Sequence, residues 1–311
     1  MTIVLAGGSG FLGRALRRRL AGAGHIVRTL TRHPSAPHDV AWLPDGSAGA
    51  WTAALADTDV IVNLAGEGIA DRRWTPNRKA ALRTSRLLAA RSLARALEQL
   101  PARKRVLISG SAVGYYGAHG NEPITEDSGP GTDFLARLCV DWEREATGAA
   151  VGATRVAIVR TGIVLHPEGG ALKAMLRPFR LCVGGRLGSG RQYWPWIHRQ
   201  DWIEMVCWLA ASTPAEEADR AVSVWNATAP QPVTNAEFSR VLGRVLHRPA
   251  MLPAPHFGLR LVLGEMADSL TSGARVMPER AERAGFSFRY PNLEVALRDL
   301  LAPQSSSGPN G

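Results

Sequence analysis

An α/β fold, a parallel sheet covered by helices on both faces and followed by a smaller α/β lobe, is what this sequence predicts. Three observations predict it. Apolar runs such as 2–6 (TIVLA) and 59–65 (DVIVNLA) read as strands buried on both faces. Helix-period segments lie between those runs. After residue 165 the alternation gives way to glycine-rich loops and isolated helices.

In chain order, strands are expected over 2–6, 25–31, 59–65, 105–109 and 154–165, with a weaker one at 40–43. Helices are expected near 11–23, 76–99 and 132–148. The longest begins after Thr75 and Pro76, a capping hydroxyl followed by a first-turn proline. Beyond 165, helices are expected over 168–179, 199–212, 234–246 and 256–273, and a strand over 223–228. Thr234 stands three residues before Glu237, the spacing of a capping box. The chain therefore divides into a first domain over 1–165, free to recruit part of 190–230, and a smaller lobe over 166–301. A tail at 302–311 is expected to be disordered, and the stretch 213–221 (TPAEEADRA) reads as a surface connection. No internal repeat is visible.

Thirty-seven lysines and arginines against 27 acidic residues give a formal net charge of +10. Such a balance suits nucleic acid, a membrane surface or an anionic small molecule. The arginines are scattered, with no polybasic tail and no interleaved aromatic platform, which argues against the first two and leaves a phosphate-bearing ligand. No run of eighteen uncharged apolar residues occurs, and the start, MTIVLAGGSG, enters a strand directly. A soluble, cytoplasmic protein is expected. Cys139, Cys182 and Cys207 have neither metal-ligand spacing nor the density of a disulfide scaffold. Each is expected to be a small buried hydrophobe, and no metal site is expected.

The segment IVLAGGSGFLGRAL joins a strand, a glycine turn and a helix. Gly7 permits the turn, Gly10 lets backbone approach a pyrophosphate, and Gly13 lets helix pack on strand. The amides around Ser9, Gly10, Phe11 and Leu12 then face the anion at the helix mouth. A plain tight turn is the bland alternative; placement on the first strand favours a Rossmann-like, doubly wound sheet that binds a dinucleotide. At the end of the second strand stand Thr31 and Arg32, where an acidic residue would hold the ribose 2′-hydroxyl of NAD. Arg32 suits a 2′-phosphate, hence NADP(H), unless it is a solvated surface arginine.

The glycine spacing, the strand end NLAG (63–66) and the stretch SGSAVGYYG (109–117) resemble extended short-chain dehydrogenases/reductases, the group of the nucleotide-sugar epimerases. NLAGEGIADRRW, SR at 85–86, DFLARLCVDWE, RTGIVLHPEGGAL, GGRLGSGRQYWPWIH, NATAPQPVTNAEF and GFSFRYPNLEVALRDL are similar to one atypical, epimerase-like branch of uncertain activity. The resemblance runs to about residue 301. It implies that Leu64 and Ala65 pass the adenine and ribose, that Arg86 faces the cofactor, and that Ile163 sits near the nicotinamide. From the residues alone, Arg86 lies on a strongly basic helix and surface exposure is equally open; Leu64 and Ala65 would suit any buried strand end.

Hydride transfer at a carbinol carbon needs a positioned partner for the hydroxyl proton. The wider superfamily uses a tyrosine with a lysine four residues on, and a serine that holds the substrate oxygen. Ser111 matches that serine. When Glu143 is aligned with the glutamate after the pair, Leu135 falls at the tyrosine, Cys139 at the lysine, and Leu82 at the superfamily's helix asparagine. The proton-handling half is therefore expected to be missing. Tyr116, or its neighbour Tyr115, is the candidate replacement, the alternative being a packed aromatic turn between Gly114 and Gly117. Glu67 is a candidate acid or base, or else an ion-pair partner of Arg72 or Arg73. Gln192, Trp196 and His198 are candidates to face a substrate; His198 and Asp201 could equally form a local hydrogen-bonded pair.

Two functions are expected to compete. One is an NADP(H)-dependent oxidoreductase or epimerase acting on an unidentified small molecule with a non-standard proton donor. The other is an NADP(H)-sensing binding protein without turnover. Nucleic-acid binding accounts only for the charge.

Overall fold

The computed structural model describes residues 1–212 and 220–302. Its first half runs β1 (Thr2–Ala6), α1 (Phe11–Gly22), β2 (Ile26–Thr31), β3 (Asp39–Ala41), β4 (Val60–Asn63), α2 (Pro76–Glu98), β5 (Arg105–Ala112), the short β6 (Pro123–Ile124), α3 (Phe134–Thr147) and β7 (Thr154–Thr161). Within this run, 3₁₀ segments lie at Ala50–Leu55, between β3 and β4, and at Val113–Tyr116, directly after β5. The second half contains β8 (Ile163–Leu165), α4 (Gly170–Arg180), β9 (Tyr193–Trp194), β10 (Trp196–His198), α5 (Arg199–Ala211), β11 (Val222–Ala227), β12 (Val233–Thr234), α6 (Asn235–Leu246), α7 (His256–Leu263), α8 (Met266–Leu270), β13 (Arg275–Val276), α9 (Glu279–Arg283) and α10 (Leu293–Leu301).

Seven strands form one parallel sheet in the order β11-β7-β5-β4-β1-β2-β3. This is the doubly wound Rossmann-like arrangement, with the order reversing between β1 and β4. Buried apolar residues on both faces of β1, β4 and β5 explain the unbroken Val/Ile/Leu runs. One face packs on α1 and α5 through Leu16, Leu20, Trp202 and Met205. The other packs on α2 and α3 through Leu87, Leu93, Leu138 and Trp142. A third core, built from α4, α6 and α10 around Trp194, Trp196 and Phe238, makes the smaller lobe.

The caps behave as their residue types dictate. Thr75 accepts from Arg78 N at 3.2 Å with Pro76 in the first turn, and Thr234 accepts from Glu237 N at 3.2 Å. Two expectations need correction, and two helices are new. The strand expected over 154–165 breaks at Gly162: a Cβ there would lie 2.3 Å from Pro195 O, and the chain turns out of the sheet so that β8 pairs with β10 instead. The helix expected over 256–273 breaks at Gly264, whose φ of +66° ends α7 before α8 begins. The helices α9 and α10 were not anticipated, although Asn292 caps α10 by accepting from Glu294 N and Val295 N.

The sheet does not end where the first 165 residues end. Its outermost strand, β11, comes from 222–227, and α5, just before the 213–219 stretch, packs on α1. Residues 213–219 of the expected surface connection, and 303–311 of the expected tail, lie outside the described residues.

Candidate functional site

β1, β2, β4, β5 and β7 run parallel, so their carboxyl ends lie along one edge of the sheet. Open α/β sheets form a ligand crevice there, at the point of order reversal, which here falls between β1 and β4. At its first wall Gly7 has φ +81°, and a Cβ there would lie 2.6 Å from the Leu64 carbonyl carbon. A Cβ on Gly13 would lie 2.2 Å from Gly7 O. Side chains at either position would push the turn away from β4 or the helix away from the turn. Gly10 N donates to Gly7 O at 3.1 Å, and Gly10 is the N-cap of α1 with extended backbone and no side-chain cap. The first-turn amides of Phe11, Leu12 and Gly13 therefore precede a helix that brings neither a capping side chain nor an acid to meet them. Ser9 is exposed beside them, its carbonyl taken by the Arg14 guanidinium.

Thr31 ends β2 with its hydroxyl accepting from His33 N at 3.3 Å. Arg32 is exposed and makes no hydrogen bond or ion pair among the described residues. Leu64 and Ala65 continue β4 into the crevice, half-buried; Leu64 N donates to Ala6 O, and Ala65 N to Asn63 Oδ1 at 3.1 Å. Arg86 is not a surface arginine. It lies beneath the turn after β4, donating to Leu82 O at 3.0 Å and Glu67 O at 2.9 Å, with its guanidinium 5.3 Å from the Trp142 ring. Burial pulls its pKa below the ordinary arginine value. Ile163 opens β8, its N–H donating to Pro195 O at 2.7 Å. Phe11 carries the loop after β8: a Cβ on Gly169 would stand 2.5 Å from the Phe11 ring.

On the opposite wall the candidate hydroxyls are not free. Ser111 Oγ donates to Glu143 Oε1 at 2.6 Å, and Arg160 clasps that carboxylate with Nε and Nη2, each at 2.9 Å. Arg160 Nη1 donates to the Tyr116 hydroxyl at 2.9 Å, and that hydroxyl donates to Asn226 Oδ1 at 2.7 Å. Glu126 closes the chain of bonds, accepting from Asn226 N and Arg280 N. Burial alone would lower the Arg160 pKa, but its bonds to Glu143 outweigh that and hold it above the ordinary value. Burial, opposed only partly by Arg160, pushes the Tyr116 phenol up to about 12.

Tyr116 therefore does not fit the role of proton donor expected for it. It is fully buried, both sides of its hydroxyl are committed, and at neutral pH it keeps its proton. Tyr115 lies against the Arg160 guanidinium, 3.4 Å from its ring centroid, in the packed aromatic turn that was the alternative. Leu135 and Cys139 lie on one face of α3, Leu135 against Gly114, and burial pushes the Cys139 thiol up to about 12. Leu82 is fully buried among Trp74 and Met266. Cys182 corrects the expectation for the cysteines: Cys139 is buried, but Cys182 is exposed in a left-handed turn just after α4.

Glu67 pairs with Arg78 of α2, not with Arg72 or Arg73. Trp196 is fully buried in the lobe core, donating to Gln231 O at 3.3 Å, and does not face a ligand. His198 is buried at the N-cap of α5, where its Nδ1 accepts from Gln200 N at 3.0 Å. Its ring stacks on Tyr290 at 3.9 Å, and its Nε2 is 3.3 Å from Asp299 of α10; Asp201 turns elsewhere, accepting from Arg289 N and Tyr290 N. Gln192 is the member of this cluster that lines open space. It borders a groove of about 720 Å³ between residues 118–121, 189–193 and 271–273, with Nε2 bonded to Leu187 O and Leu270 O and Oε1 unpartnered.

Glu143, Arg160, Asn226 and Glu126 were not singled out from the sequence as site residues. A signal existed for Arg160: an arginine inside an apolar strand, here 4% exposed, must find a carboxylate when buried.

Residues 3–224 match the NAD dependent epimerase/dehydratase family, and residues 254–300 match a domain of unknown function, DUF1731. An epimerase family protein of Mycobacterium bovis is 40% identical over 297 residues, covering 95% of this chain and 96% of its own length. The epimerase family protein SDR39U1 of Mus musculus is 38% identical over 308 residues, covering 97% and 100%. The crystal structure of human SDR39U1 (isoform 2) with NADPH superposes with a TM-score of 0.84 at 34% identity, covering 96% of this chain and 99% of that one.

Proposed function

Because the chain belongs to the NAD dependent epimerase/dehydratase family, we propose that it binds NADP(H) in this crevice and acts as an oxidoreductase or epimerase-like protein on a small molecule. The residues fit the coenzyme. The glycine turn leaves backbone, not side chain, where a pyrophosphate would approach, and Ser9, Gly10, Phe11, Leu12 and Gly13 would hold it at the mouth of α1. Thr31 and Arg32 would take the 2′-phosphate, Leu64 and Ala65 the adenine and ribose side, and Ile163 the nicotinamide side, while Arg86 would brace the turn after β4 on which the coenzyme lies. Bound there, the coenzyme supplies or accepts a hydride. The observation that carries the proposal is Arg32, a cation without a partner among the described residues at the end of β2. NADPH in the human relative supports the same choice.

Ser111 is the chain's own group for a substrate oxygen. With its proton directed at Glu143, it would meet the crevice as a hydrogen-bond acceptor. A second reading, an NADP(H)-sensing binding protein without turnover, is favoured by one observation: the Ser111 and Tyr116 hydroxyls both belong to a buried, bonded network. Calorimetry with NADPH and NADH, followed by an NADPH-oxidation screen against carbonyl compounds and sugar nucleotides, separates the readings. Turnover that Ser111→Ala reduces supports the enzyme; tight binding with no turnover assigns the sensor. Arg32→Ala is expected to weaken NADPH by about 30-fold, the worth of a charged hydrogen bond of about 2 kcal/mol, while leaving NADH unchanged. Equal loss for both coenzymes would remove the 2′-phosphate assignment.

A further inference from the structure

Residues 169–200 and 238–264 contain ten lysines and arginines and no aspartate or glutamate; all 27 acidic residues lie elsewhere. Folding lays parts of the two stretches side by side. Ala254 N donates to Arg186 O and Gly188 N to Ala254 O, each at 2.9 Å, and a Cβ on Gly185 would stand 2.2 Å from Leu252 O. Eleven large apolar side chains are exposed among the described residues, and six of them are here: Leu181, Val183, Met251, Leu252, Phe257 and Leu261, from 54% to 83% exposed. Phe257 and Leu261 are four residues apart, hence on one face of α7. The helix reads HFGLRLVL, with Arg260 its only full charge. A surface helix so apolar on its outer side is ordinarily covered. Arg177, Arg180, Arg248 and Arg260 are exposed on the same two stretches and have no carboxylate partner among the described residues.

We propose that this face, from the end of α4 to α7, docks peripherally on an anionic membrane surface. A bilayer of that charge supplies both things the face presents for: an acyl boundary for Phe257, Leu261 and Met251, and phosphates for the arginines. A second copy of the chain would set like charges against one another, and a nucleic acid would leave the apolar side chains in water. Among the described residues no helix is long and apolar enough to cross a membrane, so the contact is one of surface. In the linear sequence the basic residues look scattered; the absence of acids from two distant stretches becomes a patch only when the fold brings them together.

The test is cosedimentation of the full chain with vesicles of phosphatidylcholine alone and of phosphatidylcholine mixed with phosphatidylglycerol. Binding is expected to the mixed vesicles, with release at high salt. Phe257→Ser combined with Leu261→Ser should reduce partitioning about tenfold or more, as expected for two exposed side chains that no longer bury apolar area. Replacing Arg177 and Arg180 by Gln should cost about fivefold for each arginine. NADPH affinity and thermal melting should not change in either variant. The proposal is overturned if the wild type stays in the supernatant of the mixed vesicles, or if the serine variant partitions as well as the wild type. It is overturned equally if the wild type is a dimer that the serine variant converts to monomer, which would give the face to a second copy.

Discussion

At the mouth of α1 the polar groups have no answer within the described chain: amides without a capping side chain, and Arg32 without a carboxylate. Across the crevice, at the end of β5, the hydroxyls of Ser111 and Tyr116 are bonded to Glu143, Arg160 and Asn226. The two walls come from the same sheet and face the same space. A polar group left open at the end of a strand marks where a ligand completes the structure, whereas one closed into a buried network already has its partner. The first wall is left open toward an anion; the second is bonded into the sheet, α3 and the lobe, with the Ser111 oxygen free only to accept because its proton is given to Glu143.

The largest expected effect breaks the closed wall. Glu143→Ala leaves the Arg160 charge buried without its carboxylate and should cost about 3–5 kcal/mol in urea denaturation. Coenzyme affinity at temperatures where the variant remains folded should be nearly unchanged. A strong loss of coenzyme binding with intact stability would show that the second wall belongs to the ligand after all. A smaller effect sharpens the comparison at one hydroxyl. Tyr116→Phe leaves Asn226 Oδ1 without its donor and should cost about 1–3 kcal/mol of stability, with any turnover kept. Abolished turnover at full stability would restore Tyr116 as the proton donor.

The smallest effect is a slope with pH. Burial pushes His198 down to about 4, with the nearby Asp299 opposing that shift. Its folded pKa thus lies below its unfolded value of about 6.5, so the folded state binds fewer protons. The stability associated with neutral His198 is present in full above pH about 6.5 and is lost as pH falls toward about 4. Melting curves across that window should flatten in His198→Gln relative to the wild type. An unchanged slope would mean that His198 is protonated in the fold and paired with Asp299.

Much of the sheet was legible because a strand buried on both faces can be written only as an apolar run, and because Thr75 and Pro76 signal the start of α2 without help from the rest of the chain. The glycine turn was legible for the same local reason. What could not be read required partners far apart. Gly162 bends the chain because Pro195 occupies the space, His198 meets Asp299 across 101 positions rather than the nearby Asp201, and Arg160 finds Glu143 on a different element. Trp196 shows the converse error. Its aromatic, polar-flanked setting suggested a ligand, yet a large indole is as useful to a small lobe that must make a core from few residues.

The position of β11 bears on how this chain leaves the ribosome. After β7 ends at Thr161, roughly 60 residues of the smaller lobe must be made before Val222 arrives, about 3–12 s at typical synthesis rates. Until β11 arrives, β7, once it has left the ribosome and joined β5, is the sheet's outer edge, with a row of unpaired amides and carbonyls beside Val156, Ile158 and Val159. A nascent chain paused after β7 has emerged and before β11 is made would leave that edge open to pairing with a neighbour's strand.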